Sequence, residues 1–184
     1  MAKALQGQGE LWASDRSPDR IRRLKKVLDD HLFPDDRKCI QVYCRDATVW
    51  GRQKPEYFDR VLLDAPCSSE RHVLASPHHL ALWTPARSKN LAMQQFSLLA
   101  SAFDTLAPEG LLVYSTCALS PIENDGVIDK LIQKRGDKVE IVEVQMKIGE
   151  RSKHGIHILP DMSKGAGPLY YCLIRKNVEP EKEI

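Results

Sequence analysis

Two cysteines stand where covalent chemistry could take place. Cys67 follows the apolar run 61–63, and Cys117 follows the apolar run 111–113. Short apolar runs of this kind predict buried strands that end in loops. Open α/β sheets bind their ligands at the carboxyl ends of such strands. We therefore expect both thiols in one cleft, beside the carboxylate of Asp64, where together they supply the groups for a covalent reaction.

The role of Cys117 has two interpretations. The segment SPIE at residues 120–123 combines a capping box with a first-turn proline, and this predicts that a helix starts there. A helix N-terminus favours negative charge on a nearby sulfur, and the thiolate is the nucleophilic form of cysteine. Alternatively, Cys117 is a small buried hydrophobic residue. Neither cysteine is followed six positions later by arginine, which disfavours a phosphatase-type loop.

Three aspartates, Asp15, Asp46 and Asp64, come at or just after the ends of predicted strands. A carboxylate after the second strand of a nucleotide-binding sheet accepts hydrogen bonds from both hydroxyls of a ribose. Aspartate is also a common turn residue, so one such position alone carries little weight. The three positions together indicate either a nucleoside pocket or three ordinary turns.

The composition limits the class of protein. A length of 184 residues, with 42% hydrophobic and 28% charged residues, predicts one domain with a substantial core. No apolar run approaches the ~20 residues that a membrane helix needs. The first residues do not have the pattern of a signal peptide. The five cysteines include no Cys-x-x-Cys pair, which suits free thiols in a reducing compartment, either a cytoplasm or a mitochondrial matrix.

The net charge of +2 permits nucleic-acid binding without indicating it. Between positions 3 and 26, however, seven basic residues face only three acidic ones, and most of the seven lie on one predicted helix. This cluster is either the solvated face of a surface helix or a set of contacts to phosphates.

Strands and helices alternate along the chain. The predicted strands are 11–14, 39–44, 58–63, 111–115, 139–144 and 169–174. The predicted helices start at Ser17-Pro18, span residues 87–106, and start again at residue 120. This alternation predicts a parallel sheet covered by helices on both faces. We expect residues 1–176 to form one domain and residues 177–184 to form a polar tail.

These segments resemble the Sun/Fmu (Nol/Nop/Sun-type) family of RNA cytosine-5 methyltransferases over nearly the whole chain. Residues 64–68 (DAPCS) resemble the family's fourth motif, and residues 115–120 (STCALS), followed by Glu123-Asn124, resemble its sixth. Residues 64–72 and 167–172 are most similar to the branch that includes mitochondrial enzymes and related bacterial proteins. The resemblance implies a Rossmann-like class I methyltransferase sheet with helices on both faces.

The resemblance also implies a chemistry that uses S-adenosylmethionine. Cys117 corresponds to the nucleophile that adds to carbon 6 of cytosine, Asp64 to the group that hydrogen-bonds the base near nitrogen 3, and Cys67 to the residue that assists product release. The target cytosine must leave its stack, so the implied partner is single-stranded or looped rRNA or tRNA.

The implied cofactor-binding residues lie earlier in the chain. Asp15 and Arg20, within residues 15–20, correspond to the segment that holds the ribose and its surroundings, and Asp46 corresponds to the adenine end. Asp64 is implied to contact the cofactor as well.

The family places a strand and a Gly-rich loop before the stretch with which this chain begins. Residues 1–5 resemble the remainder of the helix after that loop, and residues 7–9 its exit turn. We therefore expect the first strand, the Gly-rich loop and the family's N-terminal RNA-binding region to be absent from this chain.

The alternative function is an inactive methyltransferase-like fragment that binds RNA or a protein partner. Methylation of an exocyclic amine is disfavoured, because residues 64–67 lack the paired prolines and the aromatic residue of such enzymes.

Overall fold

The computed structural model describes Leu5 and residues 8–81 and 84–178. The predictions for residues 1–7 apart from Leu5, and for residues 179–184, lie outside these ranges. The helices are α1 (Pro18–His31), α2 (Pro34–Lys38), α3 (Trp50–Gln53), α4 (Glu70–Leu74), α5 (Pro77–Ala81), α6 (Pro85–Asp104) and α7 (Asp125–Arg135). The strands are β1 (Leu11–Asp15), β2 (Ile40–Cys44), β3 (Phe58–Asp64), β4 (Leu106–Thr116), β5 (Val139–Ile141), β6 (Glu150–Arg151), β7 (Ile156–Ile158) and β8 (Leu169–Lys176). They fall into two compact units, Met1–Val49 and Trp50–Ile184.

The first unit contains two parallel strands and the helix between them. β1 pairs with β2 in a register that runs from Leu11 opposite Ile40 to Asp15 opposite Cys44. α1 begins as predicted, since the Ser17 hydroxyl accepts a hydrogen bond from the Arg20 N–H at 3.4 Å and proline occupies the first turn.

The second unit contains a six-stranded sheet in the order β3-β4-β8-β7-β6, with β5 also paired to β8. β3 and β4 are parallel, whereas β8 is antiparallel to β4, β5 and β7. The predicted parallel arrangement therefore holds for β1–β2 and β3–β4 and is wrong for β8. The chain enters β8 from β7 through a loop without a crossover helix, and such a connection joins antiparallel strands.

The core of the second unit lies where α6 and α7 cover β4 and β8. Its largest fully buried side chains include Leu99, Phe103, Leu106, Leu112, Tyr114, Ile128, Leu131, Tyr170 and Ile174. The long helix predicted over residues 87–106 is confirmed, except that it ends at Asp104 and Leu106 already belongs to β4. Thr105 is the C-cap residue of this helix, and its hydroxyl donates to the Ala102 carbonyl at 2.6 Å.

The predicted capping box is wrong. α7 begins at Asp125, and the residues before it form a turn in which Gly126 donates to the Pro121 carbonyl. The carboxylate of Glu123 is engaged elsewhere, by the backbone N–H of Ser68. The helix start therefore does not lie where it was expected to act on Cys117. Within residues 8–81 and 84–178, no helix is both long and apolar enough to cross a membrane.

Candidate active site

The structure brings the two predicted thiols together at the edge of the six-stranded sheet. Asp64, the last residue of β3, lies opposite Ser115 near the end of β4, so the two parallel strands end at the same level. Cys67 follows three residues after β3, and Cys117 follows β4 directly. Their Sγ atoms are 2.9 Å apart, and neither cysteine forms a disulfide.

The environment of Cys67 favours the protonated form of its thiol. Burial and, after it, the hydrogen bond with Cys117 raise the pKa of the Cys67 thiol to about 11. Cys67 therefore keeps its proton at neutral pH and can donate a hydrogen bond to the sulfur of Cys117. The pair is suited to a reaction in which Cys117 supplies a thiolate and Cys67 supplies a hydrogen-bond donor.

Ser69 reaches both sulfurs and was missed by the sequence analysis. Its hydroxyl oxygen lies 3.4 Å from Cys117 Sγ and 3.7 Å from Cys67 Sγ. Its backbone adopts the left-handed conformation, with φ 55° and ψ 53°, which is uncommon for residues other than glycine. A serine in a loop carries no pattern that would have identified this contact.

A buried polar network holds the loop that carries Cys67. The Glu123 carboxylate accepts hydrogen bonds from the Ser68 N–H and from the Gln95 side-chain amide, both at 2.9 Å. The same amide donates to the Pro66 carbonyl at 2.8 Å. Ser68, Gln95 and Glu123 are all fully buried. A fully buried carboxyl group that accepts two hydrogen bonds holds its donors in place, so residues 66–68 are fixed by this network.

A second network fixes the segment around Cys117. The Thr116 hydroxyl donates to the Asn124 side-chain oxygen at 2.6 Å, and the Asn124 amide donates to the Ala118 carbonyl at 2.9 Å. The Ala118 N–H donates back to the Thr116 hydroxyl at 3.2 Å. The residues on either side of Cys117 are thereby joined through one side chain. Asp64 remains exposed at the same sheet edge.

The predicted cofactor residues of the first unit lie at the carboxyl ends of β1 and β2. Asp15 accepts from the Ser17 N–H at 2.7 Å and from the Arg20 guanidinium at 3.3 Å. Asp46 accepts from the N–H and the hydroxyl of Thr48, at 2.9 and 2.8 Å. These two bonds, the backbone one first, hold the pKa of Asp46 below its ordinary value. Both carboxylates are thus hydrogen-bond acceptors at one strand edge.

Solved structures with a similar fold define the class to which the chain belongs, the class I methyltransferases. NSun6 from Pyrococcus horikoshii, crystallised with SFG, is 25% identical, with a TM-score of 0.76 over 97% of this chain and 44% of that one. A methyltransferase homologue protein from Pyrococcus horikoshii is also 25% identical, with a TM-score of 0.74 over 95% of this chain and 56% of that one. The α/β fold predicted from the sequence is confirmed.

The family model described as 16S rRNA methyltransferase RsmB/F matches residues 1–175. The chain belongs to this family of RNA methyltransferases, which confirms the resemblance seen in the motifs around Cys67 and Cys117.

Two curated relatives of this chain are named as methyltransferases of ribosomal RNA and of tRNA, respectively. The ribosomal RNA small subunit methyltransferase F of Serratia proteamaculans is 37% identical over 141 residues, which cover 77% of this chain and 29% of that protein. The mitochondrial tRNA (cytosine(34)-C(5))-methyltransferase of Danio rerio is 32% identical over 181 residues, which cover 91% of this chain and 49% of that protein. The chain thus spans less than half of the length of either relative.

Proposed function

We propose that this chain carries the catalytic groups of an RNA cytosine C5-methyltransferase that uses S-adenosylmethionine, within a catalytic domain formed by residues 1–176. The observation that supports this proposal most strongly is the pair of thiols 2.9 Å apart at the ends of two adjacent parallel strands. Such a pair provides one sulfur to attack the base and a second to assist its departure.

Cys117 is the nucleophile in this proposal. Its thiolate forms a bond to carbon 6 of cytosine, and the electrons of the ring double bond make carbon 5 nucleophilic. When bound, S-adenosylmethionine supplies an electrophilic methyl group for carbon 5. Transfer of the carbon 5 proton to a water molecule then restores the double bond and expels the Cys117 thiolate. The S–H of Cys67, which stays protonated at neutral pH, stabilises the departing sulfur by a hydrogen bond.

Asp64 acts at nitrogen 3, on the side of the base opposite carbon 6, where Cys117 attacks. Its exposed carboxyl group stands at the end of β3, next to the loop with Cys67. A proton shared between this carboxyl group and nitrogen 3 of cytosine stabilises the electron density that the ring gains during attack. The direct role of Asp64 in cofactor binding is part of the same proposal.

The carboxylates of the first unit fit the nucleoside part of the cofactor. A carboxylate has about four lone-pair sites, and the bonds from Ser17 and Arg20 leave acceptor capacity on Asp15 for ribose hydroxyl donors. Asp15 and Arg20 would hold the ribose and its surroundings, and Asp46 the adenine end.

The substrate class in this proposal is RNA with an accessible cytosine, in rRNA or tRNA, as the names of the relatives suggest. Both thiols are only partly exposed. A cytosine inside a duplex would not reach them, so a flipped, looped or single-stranded base is expected.

The test is a covalent trap. The chain is incubated with S-adenosylmethionine and RNA that contains 5-azacytidine, and the protein–RNA adduct is measured on denaturing gels. Wild-type protein should form the adduct, Cys117→Ser should not, and Cys172→Ser serves as the matched control because Cys172 is a buried cysteine of β8. An adduct that survives in Cys117→Ser would contradict the assignment of the nucleophile.

A second candidate is an RNA- or partner-binding module without catalysis. The exposed basic residues Arg22, Arg23, Lys25 and Lys26 of α1 favour it, since they could contact phosphates whether or not a cofactor binds. Calorimetry with S-adenosylmethionine separates the two candidates, because micromolar binding would argue against an inert module.

A further inference from the structure

Two carboxylates, one from each loop, connect the loop that contains Cys67 to the loop that contains Cys117. Glu123, which follows Cys117 in sequence, accepts the N–H of Ser68, the residue directly after Cys67, at 2.9 Å. Glu70, which follows Cys67, accepts the N–H of Leu119, two residues after Cys117, at 3.1 Å. A carboxylate from each loop therefore accepts a hydrogen bond from a backbone N–H of the other loop.

The two connections meet at Ser68. Its N–H is held by Glu123, and its hydroxyl donates to the other carboxylate, Glu70, at 2.6 Å. Ser68 has no exposed surface. Because the N–H and the hydroxyl of this residue are each engaged by a carboxyl group, the backbone next to Cys67 is fixed on two sides.

These side-chain hydrogen bonds lie just beyond the end of the pairing between β3 and β4. The last backbone bond between the strands runs from the Ala65 N–H to the Ser115 carbonyl at 2.9 Å. Beyond it, among the described residues, no backbone-to-backbone hydrogen bond joins residues 66–70 to residues 116–120. The side chains of Glu70 and Glu123 provide the connection that the strand ladder no longer supplies.

We propose that Glu70 and Glu123 are positioning residues that set the separation of Cys67 and Cys117, and that the pair so held is a dithiol site for reagents that bridge two sulfurs. The mechanistic meaning of this separation rests on the proposed function, because a displaced Cys67 could no longer donate a hydrogen bond to the sulfur of Cys117. The geometry itself can be tested without RNA or cofactor.

The probe is phenylarsine oxide, a trivalent arsenical. Its arsenic forms one bond to each sulfur, while its oxygen leaves as water with the two thiol protons, and no oxidation state changes. Bridging requires both sulfurs at once, whereas alkylation by iodoacetamide requires only one. Mass spectrometry of the full chain and of its peptides gives the rate at which the Cys67–Cys117 bridge forms and the rate at which Cys117 alone is alkylated.

Glu70→Ala should slow bridging about tenfold, as expected for the loss of a hydrogen-bonded charged group, without lowering the alkylation rate of Cys117. Glu70→Gln should behave like wild type, because its amide oxygen can accept from Leu119 and its amide nitrogen can donate to Ser68. Glu150→Ala, which removes an exposed acidic residue of β6, is the matched control.

Two further variants keep the test decisive if Glu70→Ala does not fold. Ser68→Ala removes only the hydroxyl that donates to Glu70, and it should also slow bridging. Glu123→Gln retains an acceptor for the Ser68 N–H and should bridge at the wild-type rate. If folded Glu70→Ala and Ser68→Ala both bridge as fast as wild type, the positioning role is wrong, whatever the outcome of the 5-azacytidine trap.

Discussion

The sulfurs of Cys67 and Cys117 lie 2.9 Å apart although fifty positions separate the two residues in the sequence. This contact follows from the pairing of β3 with β4, which ends both strands at one level, and from the loops that continue beyond them. Burial raises the pKa of Cys67, so this thiol stays protonated at neutral pH and can act as a hydrogen-bond donor. This property fits the role that we propose for Cys67, the assistance of product release.

Loss of Cys67 should trap the reaction after attack. In Cys67→Ser the hydroxyl is a smaller group whose oxygen lies farther from Cys117 than the sulfur does, so the departing thiolate loses its donor. We expect a covalent protein–RNA adduct with ordinary cytosine RNA and S-adenosylmethionine, detectable as a shifted band on denaturing gels. The double variant Cys67→Ser/Cys117→Ser should form none. Rapid turnover without an adduct in Cys67→Ser would contradict a role of Cys67 in release.

Stability at alkaline pH should report the proton on Cys67. Its pKa rises from an ordinary 9.0 to about 11 in the folded protein, so between these values the native state keeps a proton that the unfolded chain loses. The contribution is therefore complete below pH 9 and is lost as the pH rises toward 11. Denaturation experiments should show that the pH-dependent fall in the free energy of unfolding is smaller in Cys67→Ala than in wild type. Equal falls would show that Cys67 titrates normally.

The parts of the fold that could be predicted from sequence depend on local patterns. The strand that ends at Asp64 and the helix that starts after Ser17 are encoded by neighbouring residues, through apolar runs and a capping side chain. The meeting of Cys67 and Cys117 could be predicted as well, because parallel strands end at a common edge.

The supporting residues of the site could not be predicted in this way. Glu123 fits a capping box in sequence, yet its carboxylate binds the N–H of Ser68, which is 55 positions away. Gln95 appears in sequence as one polar residue of a long helix, although its amide joins that helix to Glu123 and Pro66. Such roles depend on contacts between distant segments, and a pattern of neighbours contains no information about them.

The core under the site should be sensitive to the loss of volume. Leu99 of α6 has no exposed surface and belongs to the same apolar cluster as Leu112 and Tyr114 of β4. Leu99→Ala should lower the free energy of unfolding by about 2–5 kcal/mol, since it leaves a cavity in a packed interior. Met93→Ala on the same helix removes a side chain that is 55% exposed and should change stability by less than about 0.5 kcal/mol. Urea denaturation measures both, and equal effects would contradict the assignment of the core.

Binding of S-adenosylmethionine should raise the melting temperature of the chain and should depend on Asp15. A ligand that binds only the native state stabilises it by about 2.7 kcal/mol at a hundredfold excess over its Kd. Asp15→Asn keeps an oxygen for the Ser17 N–H but removes the charge and the acceptor that face Arg20, so we expect cofactor binding to weaken about tenfold.

The matched control for this prediction is Asp19→Asn, which removes an exposed carboxylate of α1 that forms an ion pair with Arg22. Wild type and Asp19→Asn should show the same dose-dependent rise in melting temperature, and Asp15→Asn should need about ten times more cofactor for an equal rise. If wild type unfolds cooperatively without any rise, this chain does not hold the cofactor by itself. That outcome would favour the second candidate function, a binding module without catalysis. If Asp15→Asn responds like wild type, the ribose is held by other residues.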